Sequence, residues 1–382
     1  MLQITDSPLA LYIHWPFCVS KCPYCDFNSH VRASVDQTEW RKNLLKDMAW
    51  EAGRLPGRTL GSIFFGGGTP SLMPPGTVAA LIDAAGQHWN FAETIEITLE
   101  ANPSSVEAAR FGDLARAGIN RVSLGLQALD DQALHFLGRA HDVAEGLAAL
   151  DIAQCHFGRV SFDLIYARPG QDMSAWEAEL ARALGFGSEH LSLYQLTIEP
   201  GTRFETLVRQ GDFTPTGPDH GADLYELTAA MTAAAGLPAY EISNHARAGA
   251  QSRHNLTYWR YGDYAGIGPG AHGRRTGLAT VRHKKPENWL AAVARNNHGC
   301  QSEEALTRQE RAREALLMGL RLREGVDLGS IAARTGVTGL IDPGATDRLQ
   351  ALGLIRLDGT QLAVLPHAML LLDAILPELV SA

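Results

Sequence analysis

No apolar run in the chain approaches the ~18 residues that a membrane span needs. Its first residues, MLQITDSPLALYIHW, carry neither a basic leader nor a small-residue cleavage site. These two absences predict a cytoplasmic protein. Positive charge is not in excess either: 33 Lys and Arg stand against 42 Asp and Glu, a formal net charge of −9, which excludes a nucleic-acid partner held mainly through its phosphates. Cysteine is scarce and odd in number, five in 382 residues, with three of the five packed into eight positions; such crowding does not make a stapling framework. Repeats and low-complexity tracts are lacking as well. With 45% hydrophobic and 20% charged residues the composition is ordinary globular material, and the length suits one large domain with a smaller one.

What is present is alternation. Short β-rich runs near Leu9–His14, Ser62–Phe65, Ile95–Leu99, Arg121–Leu126, Arg159–Ile165 and His190–Tyr194 are separated by helical patterns over Asp36–Arg54, Thr77–Trp89, Ser105–Ala117, Asp131–Leu137 with Ala144–Ala153, and Ala175–Leu184. That order predicts about six βα repeats around a parallel sheet. After each strand stands something chemically unusual: the cysteines, Gly66-Gly67-Gly68-Thr69-Pro70, Glu100-Ala101-Asn102-Pro103, Gln127, Arg168-Pro169-Gly170 and Gln195. In parallel α/β folds ligand sites lie at these strand ends. A helix follows at Gly221–Ala235, after which Tyr240–Trp259 and Tyr261–His272, dense in Gly, aromatic and His residues without helical period, predict loops and short strands closing over the barrel. Residues 1–235 are thus expected to form the barrel, 236–305 its closing segment, and 306–382 a smaller C-terminal domain. Helices at Thr307–Leu322, Leu328–Arg334 and Ala345–Leu352, then a hairpin at Asp358-Gly359, outline a winged-helix-like α+β unit. Its eight Arg, no Lys and nine Asp and Glu argue for packing over DNA binding.

In WPFCVSKCPYCDFNSH the spacing Cys-x3-Cys-x2-Cys offers three thiolates, Cys18, Cys22 and Cys25, on one loop. Three soft ligands suit an iron–sulfur cluster with one open iron; a zinc site completed by His14 or His30 is the alternative. Zinc alone would leave the polar ends of five other strands unexplained, whereas a bound small molecule uses them. Cys155 and Cys300 lie apart and are expected to be buried small hydrophobes.

CxxxCxxC, GGGTP and a partial barrel in this order resemble the radical S-adenosylmethionine (SAM) enzymes, in which a [4Fe–4S] cluster binds SAM through its open iron. LYIHWPFCVSKCPYCDFNS, FFGGGTPSLM, ITLEANP, RVSLGLQALDDQ, LGRAH, SFDLIYARPGQ and LSLYQLTIEPGT resemble, more narrowly, the oxygen-independent coproporphyrinogen III oxidase family over nearly the whole chain. The resemblance implies a partial (β/α)6 TIM-like radical SAM barrel. It implies that Tyr12, Gly67 and Glu100 contact SAM at the cluster, and that Tyr24, Gly68, Thr69, Gln127, Arg139 and Asp163 line the place where the oxidase holds a second SAM. Packing of the two tyrosines and an Arg139–Asp163 ion pair are the plainer readings of those residues.

Two departures set the chain apart from the oxidase. Phe27 stands where the oxidase pattern has a further cysteine, and only eight residues precede the first strand. His254-Asn255-Leu256-Thr257-Tyr258-Trp259 is similar to the HNxxYW motif of the HemW-type heme chaperones, relatives of the oxidase. This likeness implies heme as a third bound group with His254 as its ligand, no assigned catalytic residue, and delivery of heme to an acceptor protein of the respiratory-membrane-enzyme class. It also implies an electron donor and allows a homodimer. The alternatives are a true oxidase, which decarboxylates coproporphyrinogen III, and a zinc-stabilised binding protein.

Overall fold

The computed structural model describes residues 7–32 and 34–380. Its centre is an eleven-stranded sheet of β1 (Leu9–Trp15), β2 (Thr59–Gly67), β3 (Asn90–Ala101), β4 (Arg121–Gln127), β5 (Arg159–Tyr166), β6 (His190–Gln195), β7 (Asn244–Ala246), β8 (Tyr264–Ile267), β9 (His272–Arg275), β10 (Leu278–Arg282) and β11 (Cys300–Ala305). Strands β1 to β6 lie side by side in chain order and all run parallel, as alternating strands and helices require. The sheet does not close. At one edge β7 joins β6 antiparallel; at the other β8 joins β1 parallel and leads into the antiparallel meander β8-β9-β10-β11. The barrel is therefore partial, and the segment expected to close over it widens the sheet at both edges instead.

Period-two alternation gives the strands two different faces. Leu9, Leu11 and Ile13, Ile63 and Phe65, Ile97 and Leu99, Val122 and Leu124 are buried against Trp40, Leu44, Val78, Leu81, Leu114 and Leu150 of the surrounding helices, each large side chain contributing about 1.5–3 kcal/mol by leaving water. On the inner face the buried residues are polar: Ser62, Thr98, Arg121, Ser161, His190 and Ser192. Parallel strands covered on both sides usually read as continuous apolar runs, so this alternation sets aside the inner face for hydrogen-bonding work. Helix starts are local decisions: Asp36, Asp130, Asp142 and Asp172 each accept a backbone N–H of the first turn.

The C-terminal helices Arg308–Gly319, Leu328–Thr335, Pro343–Ala351 and Leu372–Leu379 surround a core of their own, including Leu316, Ile331, Leu349, Leu362 and Leu372. A Thr307–Glu310 capping box opens the first. The antiparallel sheet of β12 (Val326–Asp327), β13 (Ile355–Asp358) and β14 (Gln361–Val364), ordered β12-β14-β13, supplies the wing. Its turn is Gly359-Thr360, one residue beyond the expected pair, because Asp358 pairs with Gln361 and Gly359 takes φ +59.

Three further expectations are corrected. Ser105–Ala117 is two helices, Ser105–Ala108 and Phe111–Arg116, with Glu107 drawn to Ser71 and Asn102 and Arg110 to the Met73 carbonyl at the break. The HNxxYW stretch is a helix, Arg253–Trp259, N-capped by Ser252. Cys155 is exposed and Cys300 partly so. Among the described residues no helix is long and apolar enough to cross a membrane.

Candidate functional site

Because β1–β6 run parallel, their C-terminal ends share one rim; the cysteine loop, the glycine turn and the ends of β3 and β4 are joined there, whereas Arg168 pairs with Glu179 and Gln195 donates to the Gly221 carbonyl. Cys18, Cys22 and Cys25 are free thiols, each partly buried. Their loop is stitched to the barrel by backbone bonds from Gly68 N–H to the Trp15 carbonyl (2.7 Å) and from Thr69 N–H to the Phe17 carbonyl (2.8 Å). The Asn28 amide closes its far end by donating to the Pro269 and Lys284 carbonyls at 2.9 and 3.0 Å. Burial pushes the Cys18 and Cys25 thiols up.

The donor set fits a cubane cluster. Three free thiols stand on one loop, and on a cubane each thiolate reaches a separate iron while the fourth iron stays open. The two histidines that could complete a zinc site are engaged elsewhere. His14 Nε2 donates to the Asn28 carbonyl at 3.0 Å, leaving Nδ1 to accept from the Tyr12 hydroxyl at 2.9 Å; burial lowers its pKa to about 4, so it is neutral. His30 Nε2 meets Asn28 Oδ1 at 3.3 Å.

The glycine turn makes the second wall. Gly67 sits at φ +114, and a Cβ there would lie 2.5 Å from His14 Cε1, so only glycine lets the turn pass this close. Its N–H donates to Glu100 Oε2 at 3.1 Å, joining the end of β2 to the end of β3. Burial, and then the neighbouring Asp163, push the Glu100 carboxyl up to about 8; burial pushes Asp163 up to about 6. Two carboxyls whose charges are this disfavoured need a cation to hold them ionised. The ammonium of a methionine moiety would supply one at Glu100, beside the Gly67 N–H.

Arg139 is the third wall. Its Nη1 lies 3.4 Å from the Cys22 sulfur and 3.5 Å from the Tyr24 hydroxyl, and its Nη2 donates to Asn102 Oδ1 (2.7 Å) and the Gly125 carbonyl (2.9 Å). It turns to these groups and not to Asp163. Gly138 beside it has φ +66, and a Cβ there would stand 2.5 Å from Pro23 Cδ in the cysteine loop. Gln127 ends β4 with φ +69, a conformation a non-glycine residue holds only under constraint. Tyr12, Tyr24, Gly67, Gly68, Thr69, Glu100, Gln127, Arg139 and Asp163 thus all stand at this rim or on the inner face just below it.

Several contributors have roles that the sequence reading did not give them: Asn102 stood there only in a strand-end run and His14 only as a zinc candidate. Asn102 joins Thr69 Oγ1 (3.1 Å) to Arg139; its place two residues after Glu100, on the same face of a strand end, was the available signal. His14, two residues after Tyr12, carried the same one. Below the rim Arg121 donates to Ser161 Oγ (2.9 Å), Ser161 to Ser123 (3.0 Å) and Ser123 to Asp163 Oδ1 (3.3 Å), a hydrogen-bonded chain in which every donor points toward the carboxylate. No local pattern marks it.

His254 lies deeper. It is 2% exposed, stacked on Phe64 with ring centroids 4.8 Å apart, and 6.2 Å from the Tyr12 ring. Nδ1 meets Ser62 Oγ at 3.0 Å and Nε2 the Tyr258 hydroxyl at 2.5 Å. Burial lowers its pKa to about 3. In this seat both nitrogens are engaged with the protein. By contrast the cysteine loop turns Val19, Phe27 and Val31 outward, 71, 60 and 48% exposed, an apolar fringe beside the thiols.

The family model of the radical SAM superfamily matches residues 12–183, and that of the HemN C-terminal domain matches residues 306–371. The mitochondrial "Radical S-adenosyl methionine domain-containing protein 1" of Bos taurus is 42% identical over 327 residues, covering 83% of this chain and 74% of that protein. "Heme chaperone HemW" of Escherichia coli (strain K12) is 42% identical, covering 74% of this chain and 76% of its own. The protein of the same name from Mycobacterium tuberculosis (strain H37Rv) is 33% identical, covering 100% of this chain and 97% of its own. The solved structure described as "Coproporphyrinogen III oxidase (HemN) from Escherichia coli is a Radical SAM enzyme" superposes with a TM-score of 0.83 at 22% identity, covering 97% of this chain and 89% of that one; the two share a fold.

Proposed function

Since the chain belongs to the HemW heme chaperone family within the radical SAM superfamily, a membership that implies a [4Fe–4S] cluster and SAM, we propose that it binds heme and delivers it to acceptor proteins of the respiratory class. Cys18, Cys22 and Cys25 hold the cluster. Glu100, Gly67 and Tyr12 seat the methionyl end of SAM, and Arg139, Thr69, Gln127, Tyr24, Gly68 and Asp163 line the adjoining space. When bound, the reduced cluster supplies one electron to the sulfonium of SAM. The protein's own part is to present the Glu100 carboxyl to the ammonium of SAM, and to fix the thiol loop by Asn28 and the glycine turn.

The observation that carries delivery over decarboxylation is Phe27. The oxidase pattern has a further cysteine at this position; here a phenyl ring that is 60% exposed stands two residues after the last thiol of the loop. An apolar fringe of this kind supports a macrocycle or an acceptor face. His254 is the candidate heme ligand carried by the HNxxYW likeness, and ligation there requires Tyr258 to release Nε2.

The test uses anaerobically reconstituted protein. Heme titrated into one sample should bind at a saturable stoichiometry, while coproporphyrinogen III with SAM and a reductant should give no decarboxylated product in another. Appearance of that product would make the chain an oxidase. Replacing Cys22 with Ser should abolish the visible iron–sulfur absorption; persistence at full strength would overturn the ligand assignment.

A further inference from the structure

A second charged site lies away from the rim, where the meander meets the C-terminal unit. There Arg274 of β9, Arg311 of the helix Arg308–Gly319 and Arg334 of the helix Leu328–Thr335 surround a crevice of about 40 Å³ floored by Tyr261 and Gly277. None of the three arginines forms an ion pair within the described residues. Asp263, on the same wall, is held by Arg58 at 2.8 Å and by the Thr276 N–H at 3.3 Å. Glu314 accepts the Tyr261 hydroxyl at 2.5 Å. Three guanidinium groups therefore gather beside two carboxylates that already have partners.

Arg274 is the informative member. It is only 7% exposed; its Cζ lies 3.6 Å above the Tyr261 ring centroid, and its Nη2 donates to the Gly262 carbonyl at 2.9 Å. Its Nε is buried with no hydrogen-bond partner. A buried donor on a charged group is expensive to leave unmade, and like charges brought together add to the expense. Burial and the charge of Arg274 pull the Arg334 guanidinium below its usual range, the direction expected where an anion is wanted. One water needs roughly 10–15 Å³ of such space, so the crevice has room for about three, which suits a small oxyanion group. Guanidinium forks match phosphate and carboxylate oxygens in pairs.

We propose that this crevice is an oxyanion site, taking a phosphate or carboxylate group between Arg274, Arg311 and Arg334. An anion seated there joins β9 to two helices of the C-terminal unit and so couples that unit to the barrel edge. The site stands independently of the heme reading.

The experiment is calorimetric titration of the full chain with sodium phosphate at low ionic strength, beside Arg311→Gln and Arg334→Gln, whose side chains are partly or well exposed and whose loss leaves the core intact. Saturable one-to-one binding is expected, weakened about tenfold or more by either substitution as a charge-assisted bond is lost. Absence of saturable binding, or equal binding by both variants, would overturn the proposal. A second arm identifies the source of the group. Competition of phosphate with heme, but not with heme dimethyl ester, assigns the site to a heme propionate; phosphate binding indifferent to heme assigns it to a free phosphate or phosphorylated metabolite. Either result supports an oxyanion site.

Discussion

Arg139 and Cys22, 117 positions apart in the chain, meet with guanidinium nitrogen and sulfur 3.4 Å apart, and the same guanidinium reaches Asn102 and the end of β4. One side chain thus ties the thiol loop after β1 to the strand ends of β3 and β4. Replacing it with Met removes these bonds without charge compensation and should lower stability by about 2–4 kcal/mol. Urea unfolding followed by circular dichroism reads the loss, and iron bound per chain after anaerobic reconstitution should fall with it. Lys restores the charge but not the fork, so Arg139→Lys should recover only part. An unchanged midpoint in the Met variant would show that the clasp contributes nothing.

Glu100 makes the cofactor-free protein sensitive to pH. Its folded pKa of about 8 lies above the ordinary carboxyl value of 4.5, so between these two pH values the unfolded chain has released a proton that the folded chain keeps. Folding stability then falls as pH rises through that window. Glu100→Gln, which cannot ionise, should match the wild type near pH 4.5 and unfold at a higher midpoint near pH 8. Binding of a SAM ammonium should return Glu100 to its ionised form. Titration at pH 7 in buffers of different ionisation enthalpy should therefore show proton release, and its absence would place the ammonium elsewhere.

His254 carries two separable expectations. His254→Ala leaves Ser62 and Tyr258 without a shared partner and opens a cavity against Phe64, which should cost about 2–4 kcal/mol in chemical unfolding. It should also weaken heme binding, whereas Tyr258→Phe, which frees Nε2, should tighten it. If neither variant moves the heme affinity, His254 is a brace inside the barrel and the ligand must be sought elsewhere.

Gly138 tests the seating of the thiol loop without touching a thiol. An alanine at φ +66 would press its Cβ on Pro23, so Gly138→Ala should cost about 1–3 kcal/mol and shift the loop. Reduced iron uptake alongside a lowered unfolding midpoint is the expected pair of results. Full iron uptake would mean that the loop yields without losing its ligand geometry.

Much of this molecule is determined by the sequence alone, because the signals are local. The parallel βα order, the aspartate-capped helix starts, the Cys-x3-Cys-x2-Cys loop, the glycine turn and Glu100 are each legible within a few residues, since spacing on a strand or in a turn decides which way a side chain points. The helix at Arg253–Trp259 could have been read in the same way from the Ser252 cap and the i, i+4 pair His254 and Tyr258, had the glycines and aromatics around it not obscured a helix of seven residues. Tertiary structure alone decided the rest. Arg139 beside Cys22, the serine chain from Arg121 to Asp163, the closed seat of His254 and the three arginines at the domain boundary all join side chains from separate elements. Their meeting depends on strand register and on how far the sheet curls before its edges are taken up by β7 and β8, and no local pattern encodes either.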